Sequence, residues 1–288
     1  MDNYVSIDNC PVCNSNSYRI IKRKAKFKFK LCNICSLIYI SPRITNIQNV
    51  YTDNKSSSPS KYYELSYKYD NEIFNKRIDL IEEFSPKGNI LDIGSSTGTL
   101  IEIAELRGWK ALGVEPNPVA YEISKNKKLN VYNGFFEKPF ADTVKSNFEA
   151  AYMGDVLEHV PDPVKMIDLA LQTLKIDGVL MIVTPNFDSI VARMFQIKPV
   201  EHILYFTQNS LKYLLAKFDL KIELMKNITR KRSLNALPYS TTFSDKPLLR
   251  FILKTISSIG LDPLINTFLT LFIRDEILVI IRKAGPLK

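Results

Sequence analysis

The sequence predicts an α/β fold built on a doubly wound, mostly parallel sheet, preceded by a small N-terminal zinc ribbon. Three observations carry that expectation. From residue 89 onward, short apolar runs alternate with helical stretches, at Asn89 to Gly94, Ala111 to Glu115, Asn130 to Gly134, Phe148 to Asp155 and Val179 to Thr184. This is the rhythm of strands joined by crossover helices. The first run leads into a turn with Gly94 and Gly98 and then a helix start. Ahead of it, the four cysteines of the chain form two matched pairs, Cys10-Pro-Val-Cys13 and Cys32-Asn-Ile-Cys35, eighteen residues apart.

Taken in order, the cysteines come first. Four thiolates fill a tetrahedral zinc shell and leave no position for water, so the predicted metal is structural. Between the pairs, Lys26-Phe27-Lys28-Phe29-Lys30-Leu31 alternates as a strand does, with Phe27, Phe29 and Leu31 on one face and lysines on the other. Six of the nine residues from Lys22 to Lys30 are basic, which suits either a nucleic-acid face or an edge strand guarded by lysine.

Residues 1–45 therefore read as the ribbon, 46–88 as a linker with lid helices, and 89–288 as the α/β domain, with a basic, apolar insertion at about 229–275. The linker holds the polar run Lys55 to Ser60 and the tyrosines Tyr62, Tyr63 and Tyr67, placed either to cover a ligand or to pack. Apolar spacing at Ile73, Phe74, Ile78, Ile81 and Phe84 predicts an amphipathic helix.

The chain of 288 residues, 45% hydrophobic, is long enough for one sizeable core and a small appended module. Its net charge of +9 is uneven: +6 over residues 1–45, −4 over 46–220 and +7 over 221–288. Basic ends suit an anionic partner such as nucleic acid, a phosphorylated substrate or a membrane surface, although solvated faces carry such charge too. The N-terminus lacks a basic stretch followed by an apolar run, and a metal-type spacing claims every cysteine. The expected location is cytoplasmic.

The chemistry is expected at Ile90-Leu91-Asp92-Ile93-Gly94-Ser95-Ser96-Thr97-Gly98-Thr99-Leu100. Gly94 and Gly98 let the backbone turn tightly and approach a ligand, and the following helix presents free N–H groups. The dinucleotide fingerprint is absent, with Ser96 in place of its second glycine, and the Walker lysine is missing. Glu115 stands at the tip of the second strand, twenty-one residues beyond Gly94, where a carboxylate can accept both hydroxyl hydrogens of a ribose. Together the two loops predict a nucleoside site that requires no pyrophosphate.

These residues resemble the class I S-adenosylmethionine-dependent methyltransferases, particularly the bacterial branch acting on sugars, polysaccharides and other small molecules. The likeness runs through Leu91 to Gly98, Gly113-Val114-Glu115-Pro116, Asp155-Val156-Leu157-Glu158-His159-Val160-Pro161-Asp162-Pro163, Leu174 to Asn186, and Glu201-His202-Ile203-Leu204-Tyr205-Phe206, covering roughly residues 60–228. It implies a Rossmann-like sheet closed to seven strands by an antiparallel hairpin at Lys221 to Ile228 and Glu276 to Lys283. It implies that Asp92, Gly94, Ser95, Thr97 and Gly98 cradle the methionine portion of S-adenosylmethionine, that Glu115 with Pro116 holds the ribose, and that Phe135 or Phe136 flanks the adenine. Asp155 and Val156 would face the cofactor from the fourth strand. Some sugar methyltransferases of this class carry an N-terminal four-cysteine module, which the exit Cys35-Ser36-Leu37-Ile38-Tyr39-Ile40-Ser41-Pro42 resembles. Carbon-methylating members carry a longer C-terminal domain, so carbon methylation is not the expectation.

The two histidines, His159 and His202, each follow a glutamate and lie after the fourth and fifth strands, at the edge where doubly wound folds bind ligands. Either is a candidate base for a hydroxyl acceptor, oriented by Glu158 or Glu201, or a packing residue. The Glu158-His159 pair lacks the i, i+4 spacing of a helical metal-ligand set. The insertion, with Arg230-Lys231-Arg232 and the apolar stretch Pro247 to Ile273, suits peripheral contact with the inner membrane face, a substrate lid or a dimer surface. The expected reaction is methyl transfer to a hydroxyl of a sugar, glycan or related small molecule, anionic acceptors included. RNA methylation guided by the ribbon is the first competitor, and a non-catalytic scaffold that keeps the fold is the second.

Overall fold

The computed structural model describes residues 4–52, 60–195, 197–230 and 274–284, with isolated positions between 231 and 273. Lys231, Arg232 and most of the apolar stretch of the insertion lie outside the described residues, as does most of the polar linker.

The ribbon comprises β1 (Tyr4–Val5), β2 (Tyr18–Lys24), β3 (Phe27–Cys32), β4 (Ile38–Ser41) and β5 (Arg43–Ile44). Phe27 and Phe29 are buried and Leu31 is half-buried, as the alternation predicts. Lys30 departs from it. Its side chain is buried because the ammonium donates to the carbonyl of Ile7 at 2.7 Å, pairs with Asp8 at 3.0 Å and lies over the Tyr18 ring. A buried ammonium persists where such partners replace water.

Two helices follow, α1 (Gln48–Thr52) and the long α2 (Ser60–Phe84). The α/β unit then runs β6 (Asn89–Ile93), α3 (Thr99–Leu106), β7 (Lys110–Glu115), α4 (Pro118–Asn126), β8 (Val131–Asn133), α5 (Lys138–Thr143), β9 (Phe148–Gly154), α6 (Pro163–Thr173) and β10 (Leu174–Pro185). It closes with α7 (Ile190–Phe195), β11 (Leu204–Tyr205), α8 (Gln208–Leu215), β12 (Leu220–Ile228) and β13 (Glu276–Lys283). Local signals set the helix starts. Asn117 caps α4 and Asp162 caps α6, each followed by proline at the first helical position, and Thr207 with Ser210 forms a capping box on α8.

Seven strands make one sheet in the order β12, β13, β10, β9, β6, β7, β8. The five from β10 to β8 pair in parallel, and the β12/β13 hairpin is antiparallel. Both faces are covered, which is why the central strands read as continuous apolar runs. Successive residues of β10 split between the two cores: Leu180 and Ile182 pack with α6 residues Ile167 and Leu171, while Val179, Met181 and Val183 pack with Ile78 and Ile81 of α2.

A second sheet has the order β11, β4, β3, β2. Its strand β11 follows His202 in the chain and pairs with β4 through Leu204 opposite Tyr39 and Tyr205 opposite Ile38. The ribbon core is continuous with that of the α/β unit, since Cys10, Leu37 and Tyr39 share one apolar cluster with Leu91 and Ile93.

Candidate active site

Strand order reverses between β6 and β9: the chain winds outward from β6 to β8 on one side and from β9 to β10 on the other. Crevices form at such switch points, beyond the carboxyl ends of the strands. Here the switch point is flanked by the Gly94 to Gly98 turn after β6 and by Asp155 with Val156 after β9.

The turn is held in left-handed backbone, with φ of +80° at Gly94, +48° at Ser96 and +78° at Gly98. Gly94 also needs its missing side chain, because a Cβ there would sit 2.5 Å from Cγ2 of Val156. Ser96 adopts a conformation disfavoured for an L-residue, and its N–H donates to Oε2 of Glu115 at 2.7 Å. The other oxygen of Glu115 accepts the N–H of Asn117 at 2.7 Å. Each carboxylate oxygen keeps a further lone pair for a ligand. Burial raises the Glu115 pKa, and the Asn117 and Ser96 amides pull it back down.

Asp92 lies beneath the turn and is 3% exposed. Burial pushes its carboxyl up to about 8, with the charge of Glu115 adding to the shift. Tyr63 of α2 reaches the same region: its phenol is pushed up to about 12 by burial and then by Glu115. Thr97 is half-buried on the turn and Pro116 half-buried beside Glu115. Ser95 is buried, its Oγ without a hydrogen-bond partner. After β8, Phe136 is buried against Phe140, whereas Phe135 is only half-buried.

At the carboxyl end of β9, Asp155 has a φ of +54° and pairs with Arg230, whose guanidinium also lies 3.6 Å from Glu276. Arg77 of α2 approaches Glu276 at 3.4 Å from the other side. Arg230 belongs to the basic tract recognised in the sequence, where nothing marked it as the partner of Asp155.

The two histidines, 43 positions apart in the chain, meet with ring centroids 4.6 Å apart. His159 ends a single 3-10 turn, Leu157–His159. Its Nδ1 lies 2.9 Å from the carbonyl oxygen of Glu201 and 2.5 Å from the hydroxyl of Tyr51. The carboxylate of Glu201 instead pairs with Lys198 at 3.4 Å, so it is the backbone of Glu201 that faces the ring. Glu158 is 2% exposed, and its Oε2 accepts the hydroxyl of Thr184 at 3.0 Å. Burial pushes Glu158 up to about 8, with Asp155 contributing, and burial lowers His159, leaving a neutral imidazole at pH 7.

The four cysteine sulfurs lie within 4.8 Å of one another, with Cys10 to Cys35 and Cys13 to Cys32 each at 3.4 Å. A disulfide requires about 2.05 Å. Zinc at about 2.3 Å from each thiolate sets tetrahedral sulfurs about 3.8 Å apart, so a small expansion admits the ion.

A family model described as a methyltransferase domain matches residues 67–224, more than half of the chain. The chain belongs to the methyltransferase domain family. Its match spans the switch point, the Glu115 strand and both histidines. Among curated proteins it is similar to a ubiquinone biosynthesis O-methyltransferase of Alkalilimnicola ehrlichii, 27% identical over 120 residues, 40% of this chain and 48% of that one. It is also similar to an uncharacterized protein of Methanocaldococcus jannaschii, 28% identical over 140 residues, 48% of this chain and 65% of that one. The chain thus spans less than two thirds of the length of either relative.

Among solved structures, a SAM-dependent methyltransferase from Archaeoglobus fulgidus matches 77% of this chain and 99% of its own, with a TM-score of 0.52 at 21% identity. The cyclase SpnF matches 85% of this chain and 98% of its own, with a TM-score of 0.52 at 14% identity. At such identities the likeness establishes the class I methyltransferase fold. The cyclase illustrates that this fold alone does not fix a reaction.

Within this methyltransferase domain the structure gathers Asp92, Gly94, Ser95, Glu115, Asp155 and Val156 around the switch point, and Glu158, His159 and His202 into a neighbouring cluster. Tyr51 and Thr184, which touch that cluster, escape sequence reasoning because a lone tyrosine on a short helix and a threonine inside an apolar strand carry no motif. Asn117, which caps α4 and donates its amide to Glu115, carried no functional reading in the sequence.

Proposed function

We propose that the chain transfers a methyl group from S-adenosylmethionine to a hydroxyl of a small molecule, with sugars and glycans as the leading acceptor class. The observation that carries this reading is the switch-point cradle: a turn whose Gly94 packs closely against Val156 and whose Ser96 amide bonds a buried carboxylate at the end of the neighbouring strand. Gly94 to Gly98 would hold the methionine portion and Glu115 the ribose. Asp92, beneath the turn, offers a carboxylate to a cationic ligand. S-adenosylmethionine supplies, when bound, a methyl group on a sulfonium centre.

What the chain must then do is align an oxygen nucleophile with that carbon and exclude water. Alignment of this kind contributes roughly 7 to 11 kcal/mol in well-oriented systems. The Glu158, His159 and His202 cluster supports an oxygen acceptor, since its ligand atoms lie within 4.8 Å of one another and Glu158 follows Val156 of the cradle by two residues. The O-methyltransferase activity in the name of one curated relative supports the same class. Exposed cations on β2, from Lys22 to Lys24, support acceptors that carry phosphate or carboxylate, and RNA remains the competitor on that account.

We also propose that Cys10, Cys13, Cys32 and Cys35 hold a structural zinc. The Cys35 thiol holds that of Cys10 down to about 5 against the opposing burial, and the amides of Cys13 and Val12 assist. A thiolate is the form that binds metal. The membrane contact proposed for the insertion falls mostly outside the described residues, and no helix among those described is long and apolar enough to cross a membrane.

The test is calorimetric titration of the full chain with S-adenosylmethionine and S-adenosylhomocysteine, followed by mass spectrometry of hydroxylated sugars, glycans and RNA after incubation with the cofactor. Binding of both nucleosides and a gain of one methylene on a hydroxyl acceptor is the expected result. Failure to bind either nucleoside would overturn the assignment.

A further inference from the structure

The cluster beside the cradle contains an electrostatic arrangement that packing alone does not explain. Oε1 of Glu158 is buried and has no hydrogen-bond partner. A buried carboxylate oxygen left in this state is costly, on the order of 1–3 kcal/mol or more, and native structures rarely tolerate it. Across the gap, Nε2 of His159 lies 3.8 Å away. That is well beyond the 2.7–3.2 Å of a hydrogen bond.

The tautomer of His159 follows from its other nitrogen. The carbonyl of Glu201, 2.9 Å from Nδ1, can only accept, and the Tyr51 hydroxyl donates to the same carbonyl at 3.2 Å. A proton on Nδ1 satisfies these contacts together, whereas a lone pair there would face the carbonyl oxygen directly. Nε2 is then the lone-pair nitrogen, and it points at the orphan oxygen of Glu158. Two ligand atoms thus face each other in a buried site, where either a proton held by Glu158 or a bound cation must stand between them. A ring nitrogen of His202 completes the group, with the three ligand atoms within 4.8 Å of one another.

We propose that Glu158, His159 and His202 form a binding site for a divalent transition-metal ion. Nitrogen and oxygen ligands about 2.0 to 2.2 Å from such an ion stand about 3.0 to 3.8 Å apart for ligand angles between 90° and 130°, so the Glu158 to His159 separation fits, and His202, within 4.8 Å of both, needs to close by about 1 Å at most. Two imidazoles and one carboxylate suit zinc, manganese or iron and leave coordination positions open. The surroundings are those of a metal-bound histidine, whose second nitrogen donates to a backbone carbonyl and fixes the ring. Thr184 plays the same part for the carboxylate through its bond to Oε2. The first two ligands come from one 3-10 turn after β9 and the third from the segment before β11, so no spacing rule on a single helix could reveal the set.

The site does not depend on the proposed methyl transfer for its existence. Its use does: an open position beside the cradle is where an acceptor oxygen would bind.

Manganese distinguishes this site from the cysteines, because thiolate sites favour softer ions. Electron paramagnetic resonance of free Mn²⁺ during titration of the full chain should show one ion bound per chain. Glu158→Gln and His202→Gln should each weaken that binding at least tenfold, while Glu122→Gln, an exposed carboxylate on α4, leaves it unchanged. Circular dichroism confirms that each variant is folded, and titration with S-adenosylhomocysteine reads the cradle separately. Absence of stoichiometric Mn²⁺, Zn²⁺ or Co²⁺ binding outside the cysteines overturns the proposal, as does binding that survives both substitutions. Either result with nucleoside affinity intact rejects the metal site alone; loss of nucleoside binding by the wild-type chain rejects the methyltransferase reading instead.

Discussion

The carboxylate of Glu115 accepts the backbone N–H of Ser96 at 2.7 Å, so the acid that ends the second strand also braces the turn that ends the first. The brace compensates for the left-handed backbone of Ser96, whose φ of +48° is otherwise unfavourable by roughly 1–3 kcal/mol. One side chain thereby shapes the cradle and presents its remaining lone pairs to a ribose.

Glu115→Ala removes the brace and the proposed ribose contact together. It should lower unfolding stability by about 1–3 kcal/mol and weaken S-adenosylhomocysteine binding at least tenfold. Denaturant unfolding and calorimetric titration measure the two effects. Unchanged affinity in a folded variant contradicts the ribose assignment.

Asp92 predicts a proton inventory. With its carboxyl raised to about 8, Asp92 is mostly protonated at pH 7, and a cationic ligand next to it lowers that pKa. Cofactor binding at pH 7 should therefore release a proton, seen as a dependence of the binding enthalpy on the ionisation enthalpy of the buffer. Asp92→Asn should abolish the dependence. For folding, the native state binds the extra proton between the ordinary value of 3.8 and about 8, so this group's contribution to stability falls as pH rises through that window. The Asn variant should show a flatter profile there.

Gly94→Ala should be destabilised for two separable reasons. Its φ of +80° is strained for alanine, and the new Cβ lies 2.5 Å from Val156 Cγ2. The strain costs about 1–2 kcal/mol, and the contact adds to it. Val156→Ala in the same chain should restore only the contact component, which a double-mutant cycle on unfolding free energy reads directly. Full restoration would show that backbone strain is absent.

Zinc removal should be felt beyond the ribbon. Because β4 pairs with β11 and the two cores are continuous, chelation or Cys32→Ser should lower the thermal midpoint of the α/β unit, followed by near-ultraviolet circular dichroism. Elemental analysis should give at least one zinc per wild-type chain and less in the variant. Full zinc retention after Cys32→Ser counts against the four-cysteine site.

Much of this was legible in the residues themselves. Short continuous apolar runs specified the strands from Asn89 to Thr184, since a strand between two helix layers must be apolar on both faces. The Gly94 and Gly98 turn and Glu115 were legible because local backbone chemistry restricts which residues can stand there. The paired cysteines were legible because tetrahedral coordination demands short, repeated spacing.

Long-range packing alone decided the rest. Lys30 is buried because Ile7 and Asp8 fold over it, against the polarity its alternation implies. Arg230 meets Asp155, and His202 meets His159, across 75 and 43 positions. Loop closure over such lengths leaves no periodic trace in the chain, so only the sheet, by bringing those strand ends to one edge, determines which side chains face one another.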